Sequence, residues 1–207
     1  SISSYAFFNC TGLTQVTIGN GVTTIGDNAF SYCYDLTQVT IGNGVTSISS
    51  DAFKGCTSLV TLTLGNAVGS IGESAFGECT SLTIVSIPNS VTEIGKEVFV
   101  DSGLVKIDLG SSVEKIGAGA FSFCSKLERV ISPETVYEIG NNAFCGCKSL
   151  KNAVITNNVK KIGDYAFSKC VNISEVIISK NAVNIGKFAF EDCSALYSIT
   201  LPDSIKA

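Results

Sequence analysis

The chain has 207 residues, of which 45% are hydrophobic and 15% charged, with a net charge of -4 and no histidine. This composition excludes a disordered chain, and the acidic balance argues against a nucleic-acid partner, which would require clustered Lys and Arg. No apolar run approaches the roughly 18–20 residues that span a bilayer. The chain lacks methionine and opens inside a repeat, so we interpret it as a fragment of a longer polypeptide.

A phenylalanine recurs along the whole sequence at a nearly fixed interval. The steps are 23 residues, except one of 22 between Phe99 and Phe121. The shared pattern is A-F-x-x-C-x-x-L-x-x-V-x-I-x-x-x-V-x-x-I-G. The aligned positions are Phe7, Phe30, Phe53, Phe76, Phe99, Phe121, Phe144, Phe167 and Phe190. A fixed period of this length predicts a solenoid, which we take as one domain over residues 1–207 with about nine repeats.

Each repeat contains the same succession of predicted elements. Val39 and Ile41 alternate with polar residues, which predicts a half-buried strand. Asn43-Gly44 predicts a turn in which positive φ is tolerated, and the glycine that ends the repeat predicts another bend. Phe30, Cys33 and Leu36 lie three residues apart, a spacing that predicts a short helical turn on the opposite side.

The L-x-x-V-x-I core, together with the A-F-x-x-C and V-x-x-I-G elements, resembles the BspA-like leucine-rich repeat family over essentially the whole chain. The resemblance implies an α/β solenoid wound as a right-handed coil. A parallel β-sheet would form the concave face, and short helical or 3-10 turns the convex face. Family members are typically cell-surface or secreted proteins that mediate adhesion, so the resemblance implies host matrix or cell-surface proteins as partners.

Two outward-facing columns of the predicted sheet change character in the C-terminal repeats. The first repeats show a polar ladder of Thr17, Thr40 and Thr63, which favours strand pairing. Later repeats place apolar residues beside charged ones, a pattern typical of a recognition patch. The candidate binding residues are Lys106, Asp108, Arg129, Ile131, Asn152, Val154, Glu175 and Ile177. The alternatives are that β-branched residues simply favour strands, or that the register shifts at Val130-Ile131-Ser132.

Eight of the nine cysteines occupy one column of the repeat, and Cys145 lies outside it. Parallel Cβ vectors on stacked coils do not suit disulfides, so we predict buried free thiols that act as small apolar side chains. With no histidine and no paired C-x-x-C spacing, a zinc site is disfavoured. Two sequons make Asn9 and Asn172 candidate glycosylation sites in a eukaryotic secretory source.

The sequence carries no motif that indicates catalysis. The missing histidine removes the commonest general base, and no phosphate-binding loop or nucleophile elbow is present. We therefore expect a non-catalytic interaction or adhesion module without cofactors, at the cell surface or secreted, binding proteins through the concave sheet. Its open ends would favour end-to-end or homo-oligomeric association. The alternative is a structural spacer with no ligand of its own.

Overall fold

The computed structural model describes residues 1–131, 133–156 and 158–205. The chain winds into about eight turns of a parallel β-solenoid, and each strand pairs with the equivalent strand one coil away. The strands of the first sheet are β1 Gln15–Ile18, β3 Gln38–Ile41, β5 Thr61–Thr63, β7 Ile84–Ser86, β9 Lys106–Asp108, β11 Arg129–Ile131, β13 Asn152–Val154, β15 Glu175–Ile177 and β17 Ser198–Thr200. Those of the second sheet are β2 Thr24–Ile25, β4 Ser47–Ile48, β6 Ser70–Ile71, β8 Glu93–Ile94, β10 Lys115–Ile116, β12 Glu138–Ile139, β14 Lys161–Ile162 and β16 Asn184–Ile185.

One continuous core fills the solenoid between its walls. Val39 and Ile41 point inward from the first sheet and Ile48 from the second, each at most 2% exposed. The turns that follow each second-sheet strand and carry the recurring phenylalanines form the third wall of the solenoid. Their phenylalanine rings stack with centroids 5.0–5.7 Å apart and ring planes within 13° of parallel. Since each coil buries its apolar side chains against its neighbours, the repeats fold only as a stack.

The third wall corrects the expected helical or 3-10 turns. In the described part of the chain this wall consists of turns and contains no helix. Around Phe53, Asp51 and Gly55 adopt positive φ of 55° and 70°, which interrupts any helix. The amides of Asp51, Phe53 and Gly55 donate to carbonyls of the next coil at 2.8–2.9 Å, whereas those of Lys54 and Cys56 donate within the coil. Alternate amides thus build a third ladder along the solenoid.

The turn between the two sheets forms without the positive φ that the Asn-Gly sequence predicted. None of Asn20, Gly21, Asn43 and Gly44 has a positive φ. Instead, the side-chain oxygen of Asn20 accepts the amide of Asn43 at 2.8 Å, and Asn43 accepts Asn66 in the same way. A Cβ on Gly44 would lie 1.8 Å from the carbonyl oxygen of Asn20. In the coil that contains them, Asn43 therefore belongs to an amide ladder and Gly44 permits a close backbone approach to the preceding coil.

The glycine that closes the repeat has a similar explanation. A Cβ on Gly163 would lie 2.5 Å from the backbone nitrogen of Asn141 in the preceding coil. Gly163 does not adopt positive φ, so the position is fixed by lack of space rather than by the bend that we expected.

Both sheets are interrupted at the same junction. Within the described residues, β1, β3 and β5 form one sheet and β7 through β17 another, with no ladder between β5 and β7. The second sheet is likewise divided between β6 and β8. The third wall continues across the junction, because the Phe53 amide donates to Ala75 at 2.8 Å and the Phe53 and Phe76 rings are 5.4 Å apart.

Candidate interaction surface

Strand register places the predicted binding residues in two neighbouring rows. Strands β9, β11, β13 and β15 pair directly in chain order. One row runs through Lys106, Arg129, Asn152 and Glu175, and the other through Asp108, Ile131, Val154 and Ile177. The repeat offset therefore predicted the backbone neighbours correctly, while their role in binding stays a prediction.

The described side chains of these rows point into solvent. Lys106, Asp108, Arg129 and Glu175 are exposed, and Ile177 is 57% exposed. The side chains of Ile131, Asn152 and Val154 lie outside the described ones. Of the three residues in the predicted apolar strip, Ile177 is shown to be exposed. That Val154 and Ile131 extend this exposed strip remains an expectation.

A groove of about 630 Å³ opens where the chain enters β7, β9 and β11. Its lining combines apolar and charged side chains: Thr83, Ile84, Val105, Lys106, Ile107, Glu128 and Arg129. Only Lys106 and Arg129 of the predicted residues belong to it. Ile84 is 60% exposed and stands in the row where earlier coils carry Gln15 and Gln38. An apolar residue in this otherwise polar row is the sequence signal that could have located the groove.

The second sheet carries a row of alternating charges. Glu93, Lys115, Glu138 and Lys161 occupy paired positions on successive strands. The Lys161 Nζ lies 2.7 Å from Glu138 Oε1, and the Lys115 Nζ lies 5.7 Å from the centre of the Tyr137 ring. A smaller cavity of about 310 Å³ borders this row. Because Glu138 and Lys161 are paired and Lys115 contacts Tyr137, we assign this cavity no ligand.

The cysteine column lies inside the core as predicted, apart from the exposed Cys10, and the nine cysteines are free. Loss of solvation raises the pKa of the Cys56 thiol to about 12 and that of Cys124 to about 11. Burial likewise raises the pKa of Cys145, which is 8% exposed. These thiols stay protonated near neutral pH and are poor nucleophiles.

The two sequon asparagines occupy exposed turns. Asn9 has a positive φ of 57°. The Nδ2 of Asn172, the atom that would carry a glycan, donates to the Lys148 carbonyl oxygen at 2.8 Å. Ile173 between Asn172 and Ser174 is fully buried, so glycosylation of Asn172 would require this turn to rearrange.

The repeat between Val98 and Ile116, which contains the 22-residue step, departs from the shared pattern but keeps the third wall intact. Val98 replaces the usual alanine, is fully buried and accepts the Phe76 amide at 2.9 Å. Ser102 stands in the cysteine column and lies 3.2 Å from the Cys124 thiol. A Cβ on Gly103 would be 2.1 Å from the Thr80 carbonyl oxygen. The shortened turn therefore depends on Gly103 and creates no separate site.

The part of the chain that the structure describes has no cluster of side chains that indicates a metal site. No group of three or more Cys, Asp or Glu side chains there is arranged to hold a metal ion. Over the same residues, no helix has the length and apolarity to cross a membrane. The first-sheet groove and the exposed rows beside it are features through which the chain could contact a partner.

Comparison with known proteins gives a consistent family. A family model for the BspA-type leucine-rich repeat region, in six copies, matches residues 1–128 and 114–207. A leucine-rich cell-surface protein from Faecalibacterium prausnitzii A2-165 is 30% identical with a TM-score of 0.61. The match covers 95% of this chain and 62% of that protein, so the chain spans less than two thirds of it. No curated protein matches the chain.

Two more distant structures share the fold. A leucine-rich repeat protein from Bacteroides ovatus ATCC 8483 is 21% identical with a TM-score of 0.62, over 99% of this chain and 71% of that one. The pneumococcal vaccine antigen PcpA is 19% identical with a TM-score of 0.53, over 98% of this chain and 64% of that one.

Proposed function

Because the chain belongs to the BspA-type leucine-rich repeat family, we propose that it is a protein-interaction module of a bacterial surface or secreted protein. Its binding surface is the outer face of the first sheet. The partners are host matrix or cell-surface proteins, and the module contributes to adhesion. It acts without catalysis or a cofactor.

The observation that carries this proposal is the groove on the first sheet and the exposed rows beside it. Ile84 and Ile177 are 60% and 57% exposed. Lys106 lies directly opposite Ile84 on the next strand, and Glu175 lies two residues before Ile177 on β15. Large exposed apolar residues rimmed by charge are typical of recognition surfaces. A repeat solenoid also offers a broad rigid face, so little conformational entropy is lost on binding.

Retention of partner proteins on the immobilised chain tests the proposal. A soluble extract of extracellular-matrix and cell-surface proteins is passed over the wild type, Ile84→Asp, Ile177→Asp and Phe188→Asp. Phe188 is also 57% exposed but lies on the third wall, and its positive φ tolerates Asp, which makes it a matched control. We expect a defined set of proteins on the wild type and Phe188→Asp that both first-sheet variants lose.

Circular dichroism of each variant serves as the folding control, because the substituted side chains are largely exposed. Equal retention by all variants would place binding elsewhere on the molecule. If the wild type retained no protein, the interaction role would be wrong.

A spacer is the second candidate function. The N-terminal coils favour it, because their outward strand positions repeat the same polar residues. Gln15 pairs with Gln38, Thr17 with Thr40, and Thr40 with Thr63. A spacer retains nothing in the same experiment.

A further inference from the structure

We infer that the groove on the first sheet binds an extended peptide segment in which a carboxylate lies two residues from an aliphatic side chain. This inference rests on the proposed function and names the chemistry of its partner. It follows from an unneutralised pair of cations, the apolar wall beside them and the spacing of the strands.

The pair consists of Lys106 on β9 and Arg129 on β11, which are direct partners in the parallel register. Both side chains are exposed and line the groove. Like charges directly opposite each other on neighbouring strands are destabilising. Among the described residues, neither cation forms an ion pair. An anion placed between them would remove the repulsion.

Two pairs of charged residues on other parts of the solenoid have the opposite arrangement. Glu73 and Lys96 lie 2.6 Å apart across one step of the coil, and Glu138 and Lys161 lie 2.7 Å apart across another. The carboxylate of Asp108, two residues after Lys106, accepts the Gly110 amide through Oδ1 at 3.1 Å. Glu128 lines the groove without an ion pair to either cation. Lys106 opposite Arg129 therefore differs from these two pairs, in which opposite charges meet across the coils.

The apolar wall fixes the second feature of the ligand. Ile84 occupies the same row as Lys106, one strand earlier, and Val105 lies beside it in the groove lining. With strands ~4.8 Å apart, the midpoint between Lys106 and Arg129 is about 7 Å from the Ile84 position. Side chains on one face of an extended peptide repeat every ~6.6–6.8 Å. A peptide that runs across the strands thus places a carboxylate between the cations and an aliphatic side chain two residues away on Ile84.

The same surroundings disfavour a long polyanion such as a sulfated glycan. Asp108 and Glu175 are exposed at outward strand positions, and the exposed Glu128 lines the groove, so these carboxylates would repel further negative charge. One carboxylate with apolar neighbours fits the groove, whereas a continuous run of sulfates does not.

Nuclear magnetic resonance titration tests the inference with two defined probes. The capped peptides Ser-Leu-Ser-Glu-Ser-Leu-Ser and Ser-Leu-Ser-Lys-Ser-Leu-Ser carry an aliphatic residue on both sides of the charge, so that either chain direction fits. We expect the Glu peptide to shift the amides of Ile84, Lys106 and Arg129 saturably, and the Lys peptide to bind at least tenfold more weakly. Lys106→Glu/Arg129→Glu reverses this preference, while Gln15→Glu/Gln38→Glu, in the same row of the first coils, preserves it.

A thermal measurement without peptide tests the repulsion itself. Lys106→Glu alone places opposite charges on β9 and β11, and we expect its Tm to rise by about 1–2 °C at low salt. The rise should shrink in 1 M NaCl, because salt screens exposed charges. An unchanged or lower Tm would show that the pair is not strained and would remove the basis of the inference.

Three results contradict the inference: no saturable shift with the Glu peptide, equal affinity for both peptides, or tighter binding of a heparin fragment than of the Glu peptide. Its failure is distinguishable from failure of the proposed function. Partner retention that is sensitive to Ile177→Asp, without peptide binding, overturns only the inference. Peptide binding without any retained protein overturns only the partner-binding role.

Discussion

The thiol of Cys56 donates a hydrogen bond to the main-chain carbonyl oxygen of Phe30, 3.2 Å away in the preceding coil. The same carbonyl accepts the amide of Cys33 in its own coil, so both of its lone pairs are used. Equivalent thiol contacts of 3.0–3.3 Å are made by Cys33, Cys79, Cys124, Cys147, Cys170 and Cys193. A cysteine at this position fills the core like a small apolar residue and also supplies a donor that alanine lacks.

Replacing Cys147 by alanine is expected to destabilise the chain by about 1–2 kcal/mol. The substitution removes a fully buried sulfur and the donor to the Phe121 carbonyl oxygen, 3.2 Å away. Urea unfolding measures the change. The control is Cys10→Ala, whose side chain is exposed and whose loss should cost less than about 0.5 kcal/mol. An equal effect at both positions would contradict the role of the thiol ladder.

Raised thiol pKa values predict a loss of stability at alkaline pH. Burial raises the pKa of Cys56 from 9.0 to about 12, so above pH 9 the unfolded chain has released a proton that the folded chain retains. The stabilising contribution is complete below pH 9 and declines as the pH rises towards 12, by about 1.4 kcal/mol per pH unit for each such thiol.

Urea midpoints at pH 8, 9.5 and 10.5 measure this dependence. Comparison with Cys56→Ala isolates one thiol from the other groups that titrate in this range, and the variant should show the smaller decline. Identical pH dependence in the two proteins would mean that the Cys56 thiol titrates normally in the fold.

The strands and their register could be predicted because both follow from local alternation and a fixed period. Val39 and Ile41 alternate with polar residues, and a 23-residue step brings Val16 opposite Val39. The third wall could not be predicted in the same way. The three-residue spacing of Phe30, Cys33 and Leu36 also occurs in a helix, and the positive φ of Asn28 and Tyr32 is stabilised by hydrogen bonds to another coil.

Only part of the candidate site could be predicted from the sequence, for the same reason. That Lys106 lies beside Arg129 follows from the repeat alone. The groove depends on how far side chains project where the chain enters β7, β9 and β11. Val105, only partly exposed in the groove wall, precedes its strand, so strand alternation gave no prediction for it.

Gly146→Ala is expected to destabilise the chain by about 2–3 kcal/mol. Gly146 has a φ of 74°, and an added Cβ would lie 2.7 Å from the Cδ1 atom of Phe123 in the preceding coil. Gly12→Ala is the control, since nothing lies within 4 Å of its added Cβ. Thermal unfolding should show a clear drop in Tm for the first variant only. The double variant Phe123→Ala/Gly146→Ala removes the steric clash. If Gly146→Ala lowers stability less in the Phe123→Ala background than in the wild type, the difference is due to the clash and the remainder to backbone strain.

The divided sheets predict a local difference in hydrogen exchange. Lys106 begins β9 and its amide donates to the Thr83 carbonyl oxygen at 3.2 Å, whereas Ile84 begins β7, which has no ladder to β5 in the described residues. Exchange followed by nuclear magnetic resonance should therefore show the Ile84 amide at least tenfold less protected than the Lys106 amide. The amide of Phe53 should remain protected, because its bond to Ala75 crosses the same junction on the third wall at 2.8 Å.

Equal protection of Ile84 and Lys106 would mean that the two halves of the first sheet pair in solution. Loss of protection at Phe53 as well would mean that the whole junction opens, rather than the two sheets alone.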